Sequence, residues 1–197
     1  MGPIFRTGGA IVAAILMALA GFYAYVGGFS KPETRIATFE PAEIVYGTHK
    51  GSYSNLSESW SAFEETLTAA GLAQCDALAV YLDPPGTPED ELRTVIACRI
   101  DRLDADTRAS LMAAAPHTTL PGAEAYAADF PFKNAASYFI GAMKVYPEFE
   151  KTIEASAHEP PIAIEVYGLQ GETDTIEYYM PFGVDRSTYA ELFGAFG

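Results

Sequence analysis

Beyond residue 35, the spacing of apolar and polar positions predicts strands and helices in turn. Residues 36–48 are rich in β-branched and aromatic side chains and show no helical stripe, which is typical of a strand. Residues 56–71 carry apolar side chains at helical spacing and end at a glycine, so they predict a helix. The apolar runs 78–82 and 92–100 flank a proline-rich loop, which predicts a β-hairpin. The first part of the domain is therefore predicted to be a β-α-β-β unit.

The second part of the domain repeats this order of elements. A strand pattern at 123–130 precedes a helical pattern at 134–153, and further strand patterns follow at 162–167 and 175–181. Four positions return 86 residues later: Trp60, Phe63, Leu67 and Tyr81 as Tyr146, Phe149, Ile153 and Tyr167. A fixed offset that spans a helix and the next strand is typical of a duplicated unit. We therefore predict an α+β domain made of two β-α-β-β halves, with a pocket at the seam between them.

The strands at this seam place small, aromatic and acidic side chains on one face. The offset aligns residues 77–81 with 163–167, and alternate side chains of a strand share a face. One set is expected to pack under the helices: Leu78, Val80, Leu82, Ile164 and Val166. The other set is expected to point across the seam: Ala77, Ala79, Tyr81, Ala163, Glu165 and Tyr167. Glu165 is then a site candidate, although a solvated sheet face is the commoner place for a charged strand residue.

The N-terminal segment is strongly apolar. No charged residue occurs from Thr7 to Ser30, and the apolar run 9–29 has 21 residues, enough to cross a hydrocarbon core about 30 Å thick. Aromatic residues near one end suit the membrane interface, and apolar residues continue past position 20, which favours a retained single-pass anchor. A cleaved signal peptide is the alternative, because Ala18-Leu-Ala20 fits a cleavage site. The predicted organisation is an anchor at 1–30, a binding domain at 36–183, and a C-terminal tail or short helix at 184–197.

The charge of the chain excludes one class of partner. Beyond residue 30 there are 26 acidic and 11 basic residues, a net charge of −15. Such a surface repels nucleic acid and tolerates cationic partners. His49, His117 and His158 lack metal-ligand spacing, and the sequence has no glycine-rich phosphate loop, so neither a metal nor a cofactor is predicted.

Two cysteines, Cys75 and Cys98, flank the predicted hairpin. If Leu82 lies opposite Glu91, the residue numbers of every opposed pair in this antiparallel hairpin add up to 173. Cys75 then lies opposite Cys98. Opposed Cβ atoms lie about 4.5–5.5 Å apart, close to disulfide reach. With an export-type N-terminus, we predict a disulfide, an oxidising compartment, and a domain on the exported side of the membrane. Two buried free thiols are the alternative.

Several motifs resemble the gyrase-inhibitor-like (GyrI-like) small-molecule-binding family over about residues 36–183. They are Tyr46-x-x-His-Lys-Gly51-Ser-Tyr53, Trp60, Val80-Tyr81-Leu-Asp83-Pro84, Thr87-Pro88, Glu165-Val-Tyr167 and Glu177-Tyr-Tyr-Met-Pro181. The resemblance implies a curved antiparallel sheet with two helices on one face and a ligand cleft between the halves. It also implies that a buried glutamate, here Glu165, binds lipophilic and often cationic molecules together with aromatic side chains.

These arguments together predict a membrane-anchored binding module for an apolar or cationic small molecule. The predicted ligand contacts are Glu165, Tyr81, Tyr167, Ala79, Tyr53, Tyr179 and Trp60. Trp60 also fits the apolar core stripe of its helix. A hydrolase of small electrophiles that uses Glu165 with Tyr81 or Tyr167 is one alternative, and a membrane adaptor protein is another.

Overall fold

The helices and strands follow the predicted α+β order. The computed structural model describes residues 3–156, 158–169 and 173–196. Its helices are α1 Pro3–Tyr25, α2 Leu56–Ala69, α3 Ala105–Ala114, α4 Ala136–Glu154 and α5 Ala190–Gly194. Its strands are β1 Arg35–Phe39, β2 Ala42–Lys50, β3 Asp76–Tyr81, β4 Arg93–Arg99, β5 His117–Leu120, β6 Ala123–Pro131, β7 Ala163–Leu169 and β8 Thr175–Pro181. Short 3-10 turns at Tyr53–Asn55 and Arg186–Tyr189 lead into α2 and α5.

These strands form one antiparallel sheet in which the two repeats are arranged symmetrically. The strand order is β1-β6-β8-β7-β3-β4-β2-β5. The first repeat supplies β2, β3 and β4, and the second supplies β6, β7 and β8. Because β3 pairs with β7 at the centre, the seam between the repeats is a continuous hydrogen-bonded strand pair. This order agrees with the predicted pair of β-α-β-β halves.

The sheet curls because each outermost strand pairs with the opposite half. β1 leads into β2 but pairs with β6, and β5 leads into β6 but pairs with β2. The bends between these strands meet at Pro41 and Gly122, where a Cβ on Gly122 would lie 2.9 Å from Cδ of Pro41. A residue with a side chain would not fit there without a shift. The two edges therefore come together at this corner, and the sheet forms a half-barrel.

Helices cover the outer face of the half-barrel. Phe63 and Leu67 of α2 pack with Ile96 of β4, and α3 adds to the same cluster. Phe149 of α4 packs on the other half, against a cluster that includes Phe130 of β6. Two separate helix-on-sheet cores result, one for each repeat, and the seam strands lie between them.

The inner face carries the aliphatic set of the seam strands: Leu78, Val80, Leu82, Ile164 and Val166. The prediction that this set packs under the helices is therefore wrong. It packs instead with the C-terminal segment, including Tyr189 and Leu192. Strand alternation separates two faces but does not say which one the helices cover. Here the curl of the sheet and the C-terminal segment bury the aliphatic face, and the helices cover the other one.

The N-terminal helix and its junction differ from the prediction. α1 ends at Tyr25, and Val26 is fully buried. Gly27 has a φ of 83°, and a Cβ there would lie 2.9 Å from the ring of Phe130, so the end of the predicted apolar span 9–29 forms a turn against β6. Within the described ranges, no helix is both long and apolar enough to cross a membrane, and the predicted transmembrane helix is not supported.

The hairpin between β3 and β4 has a register two residues away from the predicted one. The N–H of Leu82 donates to the carbonyl of Arg93 at 3.1 Å, so the predicted pairing of Leu82 with Glu91 is wrong. Asp83 determines this turn, because its carboxylate accepts a hydrogen bond from the N–H of Arg93 at 2.7 Å. The same carboxylate forms a salt bridge with the Arg93 guanidinium. A shift of two residues leaves every side chain on its predicted face.

The two cysteines form a disulfide in this register. Ala77, not Cys75, lies opposite Cys98. Cys75 comes directly before β3 and is therefore diagonal to Cys98, with a Cα–Cα distance of 5.4 Å. That distance is within the usual range for a disulfide. The bond ties the start of a seam strand to the neighbouring strand.

Reduction of this disulfide should lower the free energy of unfolding by about 3 kcal/mol, because the bond closes a loop with a sequence separation of 23. Urea unfolding with and without dithiothreitol measures the difference. The double variant Cys75→Ala/Cys98→Ala is the control and should give the same curve in both conditions. A wild-type midpoint that does not move on reduction would contradict the prediction.

Candidate functional site

The seam strands bring equivalent positions of the two repeats face to face. Ala79 of β3 lies directly opposite Glu165 of β7, and these residues are separated by the 86-residue offset of the repeat. Tyr81 and Tyr167 are related by the same offset, and their hydroxyl oxygens are 3.2 Å apart. A pseudo-twofold axis therefore passes between Ala79 and Glu165. One side of this axis carries a methyl group, and the other carries a carboxylate.

Glu165 is buried, and each of its carboxylate oxygens is hydrogen-bonded by a tyrosine. Its side chain lies on the helix-covered face, and the residue is 3% exposed. The hydroxyl of Tyr146, from α4, donates to Oε1 at 2.8 Å. The hydroxyl of Tyr167 donates to Oε2 at 2.9 Å. The alternative of a solvated carboxylate is thus excluded by the burial.

No basic side chain among the described residues forms a salt bridge with this carboxylate. Burial therefore raises the pKa of Glu165 from 4.5 to about 7, while the hydrogen bonds from Tyr146, Tyr167 and Tyr81 act in the lowering direction. Near neutral pH the carboxyl group is present in both its charged and its neutral form.

The three tyrosines stay protonated and serve as donors. Burial first, and the charge of Glu165 second, raises the pKa of Tyr81, Tyr146 and Tyr167 well above 10. A phenol that keeps its proton can donate to the carboxylate across the whole physiological range. Within the described residues, no group of three His, Cys, Asp or Glu side chains is placed to hold a metal ion.

Aromatic side chains enclose this hydrogen-bonded centre and are called the ring shell below: Tyr53, Trp60, Tyr81, Tyr138, Tyr146 and Tyr167. The ring of Tyr167 lies 6.2 Å from Trp60 of α2 and 5.0 Å from Tyr138 of α4, measured between centroids. The ring of Tyr53, in the turn before α2, packs edge-on against Tyr81 at 5.3 Å. Tyr167 therefore connects the two helices across the seam. A ligand that reaches Glu165 from the helix side has to separate these rings.

Most of the predicted contact residues surround this centre. Glu165, Ala79 and the tyrosine pair of the seam strands lie together, and Tyr53 and Trp60 contact that pair through their rings. Trp60 also packs against Phe63 at 6.2 Å, so it belongs to the core of its helix and to the ring shell at once.

Tyr179 is not part of this site, and its prediction as a contact is wrong. It lies opposite Ile164 and therefore on the inner face of the sheet. There its hydroxyl donates to Glu177 at 2.8 Å, and its ring packs against Phe39 at 5.4 Å. The residue of β8 that faces Glu165 is Tyr178. A tyrosine pair in a strand gives no indication of which member faces the site until the register is known.

Three further site residues are not predicted by the sequence: Tyr138, Tyr146 and Tyr178. The repeat identifies Tyr146 only as the equivalent of Trp60, although a hydroxyl at that position is a signal for a donor. Tyr178 is 1% exposed and its hydroxyl has no hydrogen-bond partner among the described residues. A Cβ on Gly141 of α4 would clash with that hydroxyl at 2.3 Å, so glycine makes room for Tyr178 beneath the helix.

No protein-family model and no curated protein sequence matches the chain. Solved structures show the fold. SAV2435, solved bound to tetraphenylphosphonium, is 14% identical with a TM-score of 0.53, over 76% of this chain and 93% of that one. The C-terminal domain of EcmrR is 8% identical with a TM-score of 0.55, over 78% of this chain and 99% of that one. The structure of EcmrR in a DNA complex has the same identity and TM-score, and the match covers 91% of this chain and 69% of that one. The chain is thus similar to these proteins in fold, and the GyrI-like fold that its motifs implied is supported.

Replacing Glu165 with glutamine should stabilise the fold at high pH. The folded pKa of about 7 exceeds 4.5, so as pH rises from 4.5 to 7 the unfolded chain ionises first and stability falls. The loss persists above pH 7. Glu165→Gln escapes it and should be more stable than wild type by about 1–3 kcal/mol at pH 8, and nearly equal to it at pH 4.5.

Denaturant unfolding at both pH values measures this difference. Glu124→Gln removes a carboxylate from an exposed position on β6 and is the matched control. If the difference in free energy of unfolding between Glu165→Gln and wild type is the same at both pH values, the buried carboxyl does not titrate as argued.

Proposed function

We propose that this domain binds lipophilic cations between α2 and α4, with Glu165 as the counter-charge. The observation that supports this most directly is a buried carboxylate that has no salt bridge to any described residue and is enclosed by aromatic rings. Burying such a charge costs free energy, and a cationic ligand offsets that cost. A neutral apolar ligand would leave the cost in place.

The ring shell suits a cation with apolar substituents. Cations over aromatic faces gain about 0.5–2 kcal/mol per ring, and the gain is larger where water is excluded. The tyrosine hydroxyls at Glu165 already provide partners for its oxygens, so a cation without N–H groups can approach the carboxylate without breaking these bonds. The overall charge of −14 raises the local concentration of cations.

The likeness in fold agrees with this proposal. SAV2435 was solved with tetraphenylphosphonium, a cation whose charge is shielded by four phenyl rings. The two chains share an architecture at 14% identity, so the ligand of that protein supports the chemical class and does not identify the ligand here.

We propose further that the domain works in an oxidising compartment. The disulfide between Cys75 and Cys98 supports this, because such bonds persist where thiols are not kept reduced. Alkylation of protein taken from its native source, without reductant, should add no label to either cysteine. An intact mass that shows two labelled thiols would overturn this proposal and leave the ligand proposal untouched.

Tetraphenylphosphonium should bind the purified domain saturably and change the fluorescence of Trp60, the only tryptophan. Trp60 reports on the site because it lies 6.2 Å from Tyr167. The charge of this probe does not depend on pH. Its affinity should fall about tenfold per pH unit below pH 7, where Glu165 becomes neutral.

Two variants separate the site from the acidic surface. Glu165→Gln should weaken binding at pH 8 at least tenfold, because the ring shell remains and only the counter-charge is lost. Glu124→Gln should bind as wild type does. Equal affinity in wild type and Glu165→Gln, or no saturable response from either, would remove the proposal.

A further inference from the structure

The ring shell of the site is duplicated about the pseudo-twofold axis. Trp60 in α2 and Tyr146 in α4 are repeat equivalents. Each packs against the phenylalanine three residues later, Phe63 and Phe149, and the centroid distance is 6.2 Å in both halves. Both rings of each pair lie on the helix face toward the sheet. The inner part of the shell is therefore similar on the two sides of the axis.

The outer part of the shell also has one ring in each half, although the 86-residue offset takes Tyr53 to Phe139 and not to Tyr138. Tyr53 contacts Tyr81 edge-on, with centroids 5.3 Å apart and ring planes at 87°. Tyr138 contacts Tyr167 in the same manner, at 5.0 Å and 75°. Tyr53 and Tyr138 each precede or begin the helix of their repeat, and they are 44% and 38% exposed. These two rings are the solvent-facing members of the shell, one in each half.

The charge of the site breaks this symmetry at its centre. Glu165 and Ala79 are directly paired across the axis, so the carboxylate lies between the two ring sets. One carboxylate balances one positive charge. A second positive charge on the side of Ala79 would be desolvated without a partner, which is costly.

We propose that the preferred ligand is a monovalent cation with two similar aromatic groups, one on each side of the charged centre. This inference rests on the function proposed above. The charged centre lies at Glu165, on the axis, and each aromatic group contacts the ring set of one half. Aromatic groups are favoured over saturated ones because ring edges and faces attract each other in the edge-on geometry that both halves already show.

Two ligands of matched size and charge test the inference. Dibenzyldimethylammonium carries two aromatic rings around one cationic nitrogen. In benzyl(cyclohexylmethyl)dimethylammonium, one of these rings is replaced by a saturated ring of similar shape. The first should bind about three- to tenfold more tightly, which corresponds to the gain of one aromatic contact. Competition with tetraphenylphosphonium, followed through Trp60, gives both dissociation constants.

Matched variants in the two halves provide the second measurement. Tyr53→Leu and Tyr138→Leu each remove the partly exposed ring of one half, so both proteins are expected to fold. Both variants should reduce the affinity for dibenzyldimethylammonium by similar factors. They should reduce the affinity for the one-ring cation less, because its single aromatic group can still bind in the half that keeps its ring.

Three further outcomes are distinguishable. If both ligands bind equally and both depend on Glu165, the two-ring inference is overturned and the function stands. If the variants affect the symmetric cation very unequally, the duplicated shell does not act as two subsites and the inference is again overturned. If no cation binds in any form of the protein, the function and the inference are both overturned.

Discussion

The pairing of β3 with β7 is the interaction on which the site depends. These two strands come from different repeats. In their antiparallel register, Ala79 and Glu165 are the one directly opposed pair whose members are repeat equivalents. A shift of one residue would turn Glu165 to the inner face, into the aliphatic core. The register thus determines which side chains meet, and the aliphatic inner face holds that register, because Val80 and Ile164 are buried only when it is kept.

Burying one carboxylate in this arrangement is possible because the rings around it also carry hydroxyl groups. Tyr146 and Tyr167 satisfy the two oxygens, and their apolar bodies exclude water from the same volume. Satisfying the oxygens does not neutralise the charge, which is why the pKa of Glu165 stays near 7 and not at its ordinary value. A site of this kind is a poor stabilising element and a suitable binding element, since its unfavourable charge is removed by a cation.

The sequence is sufficient to predict the duplication and the position of Glu165. A fixed offset across a helix and a strand needs no knowledge of packing, and by itself it aligns a carboxylate with an alanine. The choice of face cannot be made in the same way. It depends on the contact between Pro41, which follows β1, and Gly122, which follows β5, and these residues are far apart in the chain. Tyr179 is predicted in place of Tyr178 for the same reason, because only the register of β8 distinguishes them.

The two repeats differ at two positions that act together. Where the second half has Glu165 with the hydroxyl of Tyr146, the first half has Ala79 with Trp60, whose indole offers no oxygen-bound donor of that kind. Converting the first half to the second would place two carboxylates at directly paired strand positions, about 4.5–5.5 Å apart at Cβ. Two carboxyl groups at so short a distance in a buried site cannot both ionise. Only one negative charge can therefore be buried at the axis. The second half supplies it with Glu165 and the hydroxyl of Tyr146, and the first half has neither a carboxylate nor a hydroxyl at the equivalent positions.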